Sequence, residues 1–324
     1  MTGTPVIGRF VLAALLVGLG LALGPSPGAA AARTVYVASQ GAGTLVALAR
    51  DATAAGTPLA VGRSPAQVVA GPEGRLYLAH PDTGTVTVVD GAGGSIRQTF
   101  SVPGQPFGIA ASPDGVHLYV GDWAGHRVMR LSARTGAVEG TVAVGREPAG
   151  LVLDRDGILY VADRESRQVS VVDTRTMTRT ATISVGQGPF ALALNPAQDR
   201  LYIANVRSGD VSVIDTVARR VVATFTVGGM PYGVAVSPDG RQIFVTDQRA
   251  GHLVVLDADD GALRATVPVG RYPEGVVITG HQAYVANWFS DSVSVIDLRS
   301  LRETARIAVP DGPRSLAILT EDER

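Results

Sequence analysis

Two residue types are missing altogether. The 324-residue chain contains no cysteine, and all 28 of its basic residues are arginine, so lysine is absent as well. Without thiols there is no disulfide framework, no thiolate metal centre, no cysteine nucleophile and no covalent c-type haem. Aromatic residues make up only 5% of the chain, and the formal net charge is −1. A balance so close to zero gives no overall attraction to nucleic acid or to an anionic membrane. The five histidines show no H-x-H or H-E-x-x-H spacing, so no metal site is expected. No G-x-S-x-G elbow, Walker loop or dinucleotide fingerprint is found either, and no catalytic residue or cofactor is assigned.

The longest apolar run is "FVLAALLVGLGLAL", residues 10–23, preceded by Arg9 and followed by "GPSPGAAAA". Fourteen residues are too few to span a bilayer comfortably and suit the core of a signal peptide. Residues 1–32 are therefore expected to be a cleavable signal, with small residues for cleavage near Ala31 or Ala32. The mature chain, 33–324, would be exported to a periplasmic or extracellular location and keep no membrane span.

What remains is repetitive. An aromatic opens each "YVAN"-like segment at Tyr36, Tyr77, Tyr119, Tyr160, Tyr202, Phe244 and Tyr284. A proline recurs at Pro65, Pro106, Pro148, Pro189, Pro231, Pro273 and Pro313, with the same intervals of about 40 residues. Each copy holds four short runs rich in Val, Ile and Tyr, separated by Gly, Pro, Asp and Asn. No helical period appears after the N-terminal segment. Seven units of four antiparallel strands predict an all-β, single seven-bladed β-propeller. The first copy begins at a blade's second strand and the chain ends on an innermost-type strand, "RSLAIL". The C-terminal strand is thus expected to close the ring by pairing with the N-terminal blade.

The segments "YVANWFSDSVSVID", "YIANVRSGDVSVID" and "GGMPYGVAVSPDG" resemble the YVTN-type repeat of YncE-like exported propellers. The resemblance covers residues 34–319 and implies the propeller fold. It implies an exported protein of binding or undefined function, and it brings no catalytic residues. The strand-end Asp of five copies becomes Ala49 and Ser132 in the other two.

Within such a repeat, a residue shared by every copy reads as scaffold, and one that breaks its column is a candidate for function. Asp122, Asp163, Asn205, Asp247 and Asn287 are expected to form Asx turns. In the next column both tryptophans of the chain, Trp123 and Trp288, stand where other copies carry Gln40, Pro81, Arg164, Val206 and Gln248. The residue after the recurrent proline runs Ala66, Phe107, Ala149, Phe190, Tyr232, Glu274, Arg314. Both columns should open on one face around the central channel, the ligand side of many propellers. Tyr272 and Phe289, and Arg63, Arg146 and Arg271 in "GR" turns, belong to the same loops. These twelve residues (Trp123, Trp288, Phe107, Phe190, Tyr232, Tyr272, Phe289, Arg63, Arg146, Arg271, Glu274 and Arg314) form the candidate ligand face. Aromatic caps closing the channel and a salt-bridged rim are the plainer reading of the same residues, with Glu274 and Arg314 as a mutual ion pair.

The expectation is a non-enzymatic, monomeric binding or scaffold protein for a protein, peptide or small molecule. Two alternatives stay open: a lactonase-like hydrolase or lyase at the channel mouth, and single-stranded nucleic-acid binding by stacking plus arginine. The charge balance and the absence of lysine count against the last.

Overall fold

The structure is a computed structural model in which residues 1–3, 33–49 and 53–320 are described. Apart from its first three residues, the expected signal segment lies outside the described residues. The chain divides into two units, Met1–Ala31 and Ala32–Arg324.

The second unit is the expected seven-bladed propeller. Its 28 described strands form seven four-stranded antiparallel sheets. The innermost strands of blades 2 to 7 are Gln67–Gly71, Pro106–Ala111, Pro148–Leu153, Pro189–Leu194, Pro231–Val236 and Pro273–Thr279. Blade 1 takes its innermost strand, Pro313–Thr320, from the C-terminus and its second, Arg33–Ser39, from the other end of the chain. The two pair from Arg33↔Thr320 to Ser39↔Pro313, which closes the ring.

Alternation explains the packing. In each second strand the recurrent aromatic is buried between two blades, as Tyr77 is with Val88, Ile109, Leu118 and Met129. Two of these phenols also tie neighbouring blades together. Tyr36 donates to the Gly91 carbonyl (2.7 Å) and Tyr202 to that of Ala258 (3.2 Å). The strand-end Asp is scaffold as expected, Asp215 accepting from the Val217 and Ala218 amides and Asp297 from those of Arg299 and Ser300.

At the channel, neighbouring inner strands approach closely. A Cβ at Gly108, Gly150, Gly233 or Gly275 would collide with the carbonyl oxygen of Ala149, Phe190, Glu274 or Arg314, respectively. In blades 1 and 2 the equivalent position carries a polar side chain that bridges the gap. Ser315 Oγ accepts the Val68 amide (3.1 Å), and Gln67 Oε1 accepts the Ile109 amide (2.9 Å).

The expected Asx turns form only in part. Asp122 and Asp247 bond amides within their own turns and one across the gap, Gln105 and Met230 respectively. Asn287 instead accepts the Gly270 amide and donates to Ser292 and Ser294, sewing together two loops and a strand. Asn205 reaches Asp210 and Ser212, and Asp163 accepts from Gln168 and Ser170. At Asp122, Asp247 and Asn287 an amide of the adjoining loop competes for the side-chain oxygen. The turns that follow Asp163 and Asn287 are single turns of 3-10 helix, Arg164–Ser166 and Trp288–Ser290.

Candidate functional site

The residue after each recurrent proline projects at the channel mouth, so the seven form a ring: Arg314, Ala66, Phe107, Ala149, Phe190, Tyr232, Glu274. Large and small members alternate around part of it, and the large ones touch across the alanines. Phe107 meets Phe190 edge-on across Ala149, with centroids 5.8 Å apart, and Phe190 lies against Tyr232 at 4.1 Å. Trp123 extends the row by packing on Phe107 at 4.6 Å. Such contacts contribute about 0.5–1.5 kcal/mol each beyond the area they bury.

Arg314 closes the ring. Its guanidinium carbon lies 5.2 Å from the Phe107 centroid, across Ala66, and 5.5 Å from that of Trp288. It donates to Gln40 Oε1 (2.5 Å) and to the Tyr232 hydroxyl (2.6 Å), and its Nε stands 3.3 Å from Glu274 Oε2. Glu274 is 4% exposed and accepts a further bond from Gln248 Nε2 at 3.1 Å. Burial pushes its carboxyl up to about 7, although the Arg314 charge pulls the other way. Burial also holds the Tyr232 phenol well above its ordinary range. The two tryptophans do not touch each other; Phe107 and Arg314 connect them.

Four ring members, Phe107, Phe190, Tyr232 and Arg314, line two cavities and so stand between them. One is a chamber of about 180 Å³ walled by the inner strands. The other is a bowl of about 330 Å³ on the loop face, completed by Trp123, Arg164, Val206, Met230, Gln248, Tyr272 and Glu274. The ring is therefore the floor of the bowl. Tyr272 reaches the wall from a left-handed backbone (φ 56°), a conformation costly for a bulky side chain, and packs tilted against Phe289 with centroids 4.9 Å apart.

Seven of the twelve expected residues line the bowl: Trp123, Phe107, Phe190, Tyr232, Tyr272, Glu274 and Arg314. Trp288 backs Arg314 from outside, and Phe289, 55% exposed, stands on the rim. Arg63, Arg146 and Arg271 do not line it. Arg146 and Arg271 clasp the two 3-10 turns instead: their amides bond Ser166 and Ser290, and their guanidinium groups bond the Glu165 and Phe289 carbonyls. Arg63 is exposed. The rim is salt-bridged, Arg164 reaching Glu147 (3.0 Å) and Glu165 (3.1 Å) and Arg207 also pairing with Glu165. Arg164, Val206, Met230 and Gln248 complete the wall outside the expected twelve. Three of them share the tryptophan column, which was the available signal; Met230, just before its proline, carried none.

Residues 153–282 match the family described as Cytochrome D1 heme domain. That is less than half of the chain, from the last residue of the inner strand of blade 4 to the first of the second strand of blade 7. Among solved structures, hydrazine synthase of Kuenenia stuttgartiensis is similar, with a TM-score of 0.73 and 21% identity over 80% of this chain and 90% of that one. A functionally unknown protein from Desulfotomaculum acetoxidans DSM 771 has a TM-score of 0.76 and 12% identity, over 89% and 99%. At these identities the likeness is one of fold. No curated protein matches the chain.

The bowl does not fit a haem held by histidine. Haem proteins ligate iron through His, Cys, Met or Tyr. Cysteine is absent, and none of the five histidines lines the bowl. His80 is buried with Nδ1 on the Arg63 carbonyl, His126 contacts the Glu147 amide, His117 pairs with Glu139 and His281 meets Arg299. His252 lies outside the lining as well, and with His281 it is one of the two histidines inside the matched stretch. Of the ligating types in the wall, Met230, Tyr232 and Tyr272, the Tyr232 hydroxyl already accepts from Arg314.

Proposed function

We propose that the chain is an exported binding propeller, of the YVTN-repeat kind, whose bowl holds a flat small molecule or a flat side chain of a partner peptide. One observation carries this reading: the floor is a continuous row of four aromatic rings, open on one side to a bowl of about 330 Å³. Plugging the channel alone would not require Trp123 and Tyr272, which lie outside the seven-residue ring and extend the aromatic lining of the bowl. Rigid rings on a closed β-scaffold lose little freedom when a guest arrives, so contact area converts efficiently into affinity. Export is part of the proposal and rests on residues 10–32 of the sequence. Among the described residues no helix is long and apolar enough to cross a membrane.

The test is a calorimetric titration of the full chain with 1-naphthalenemethanol, a flat neutral probe. Saturable binding is expected, and a Trp123→Ala/Trp288→Ala double variant of matched melting temperature should lose at least tenfold in affinity. Unchanged binding by the folded variant sinks the aromatic-face reading. The match to a haem-domain family makes haem the obvious rival guest, and the absence of histidine from the lining speaks against it. Hemin added to the protein is therefore expected to keep the absorption of free haem; a shifted Soret band would reverse that choice.

A further inference from the structure

Arg314 holds more hydrogen-bonding capacity than its neighbours use. A guanidinium has five N–H donors. Here Nη1 donates to Gln40, Nη2 to Tyr232, and Nε faces Glu274. Each terminal nitrogen therefore keeps one N–H. The side chain retains 17% exposure and lines the bowl, while Phe107 and Trp288 pack against the guanidinium.

Covering the bowl with a neutral ring would strand those two N–H groups away from water, at a cost in affinity. A cationic guest would face Arg314 and Arg164, with Glu274 already committed. A carboxylate supplies two acceptor oxygens at the spacing a guanidinium fork prefers.

We infer that the bowl binds a small aromatic carboxylate, with its ring on the Phe190–Phe107–Trp123 floor and its carboxylate on the free N–H groups of Arg314. The inference rests on the bowl reading and narrows it to a ligand class. Binding places a second negative group beside Glu274. The groups facing Glu274 are Arg314 from blade 1, Tyr232 and Gln248 from blade 6 and Tyr272 from its own loop, with Arg164 across the bowl in blade 4. Burial raises the Glu274 carboxyl to about 7. With two carboxylates sharing the single charge of Arg314, the ionised form of Glu274 is disfavoured and it takes a proton from solvent, which restores neutrality.

Titration calorimetry of the full chain compares 1-naphthoate with 1-naphthalenemethanol, its neutral counterpart, at pH 6 and pH 8. Naphthoate should bind at least tenfold tighter than the alcohol at pH 6. Its dissociation constant should rise by up to about tenfold per pH unit above 7. Buffers of different ionisation enthalpy should report uptake of close to one proton per ligand at pH 8. In Glu274→Gln the pH dependence should vanish, and in Arg314→Gln the preference for naphthoate should vanish. Circular dichroism checks that both variants fold, and Glu274→Gln serves alone where Arg314→Gln does not. Equal, saturable binding of acid and alcohol overturns the carboxylate inference and leaves the bowl standing. Tight naphthoate binding without pH dependence or proton uptake overturns the part given to Glu274. Saturable binding of neither probe overturns the bowl reading and the inference together.

Discussion

Glu274 occupies the place in the ring where Phe or Tyr stands in three other blades, and its cost and use are both electrostatic. Its carboxyl is raised from 4.5 to about 7 by burial, so the folded protein holds the proton more tightly than the unfolded chain does. The favourable contribution is complete below pH 4.5 and is lost as pH rises through 7, a change of about 3 kcal/mol at most. Urea denaturation of wild type and Glu274→Gln should therefore diverge with pH. From pH 4 to pH 8 the wild type should lose up to about 3 kcal/mol relative to the variant. Parallel curves would show that the carboxyl is not held as the buried network requires. The Arg314 attraction acts on the ionised carboxylate and is already contained in the raised value, and a glutamine does not titrate, so the slope isolates Glu274.

Among the elements, the inner strands decide whether the floor exists at all. Their glycines let one strand lie against the ring-bearing carbonyl of the next, and Gly150 sits under Phe190 and Leu192. Gly150→Ala should cost about 1–3 kcal/mol in chemical denaturation, because a methyl group there forces the strands apart. It should weaken probe binding as well, since the displaced strand carries a floor residue. A variant as stable as wild type would contradict the close approach. The blades and the closure by Pro313–Thr320 were legible in the sequence because a period of about 40 residues repeats both the aromatic and the proline. The reach of Asn287 across to Gly270 was not, since a side chain amide satisfies its own turn and a neighbouring loop with equal chemistry. The same holds for Arg146 and Arg271, whose "GR" turns look like free cations until the carbonyls they clasp are seen.

At the scale of the whole molecule, a seven-fold scaffold converts column-by-column variation into one surface. Trp123 and Trp288 are far apart in the chain, yet Phe107 and Arg314 join them around one ring. Comparing copies brought out seven of the bowl residues because substitutions in a repeat stand out against their own column. Met230 escaped because it is neither aromatic nor charged, whereas Tyr272 in the same column is aromatic. The chain carries only two tryptophans, both at this face, and that makes the central claim directly measurable. In ¹⁵N-labelled full-length protein the indole N–H region should hold two signals, assigned with Trp288→Phe. On addition of 1-naphthalenemethanol the Trp123 signal should shift saturably, with the same dissociation constant that calorimetry gives. Saturable binding that leaves the Trp123 signal unmoved would place the guest elsewhere and contradict the aromatic-floor site.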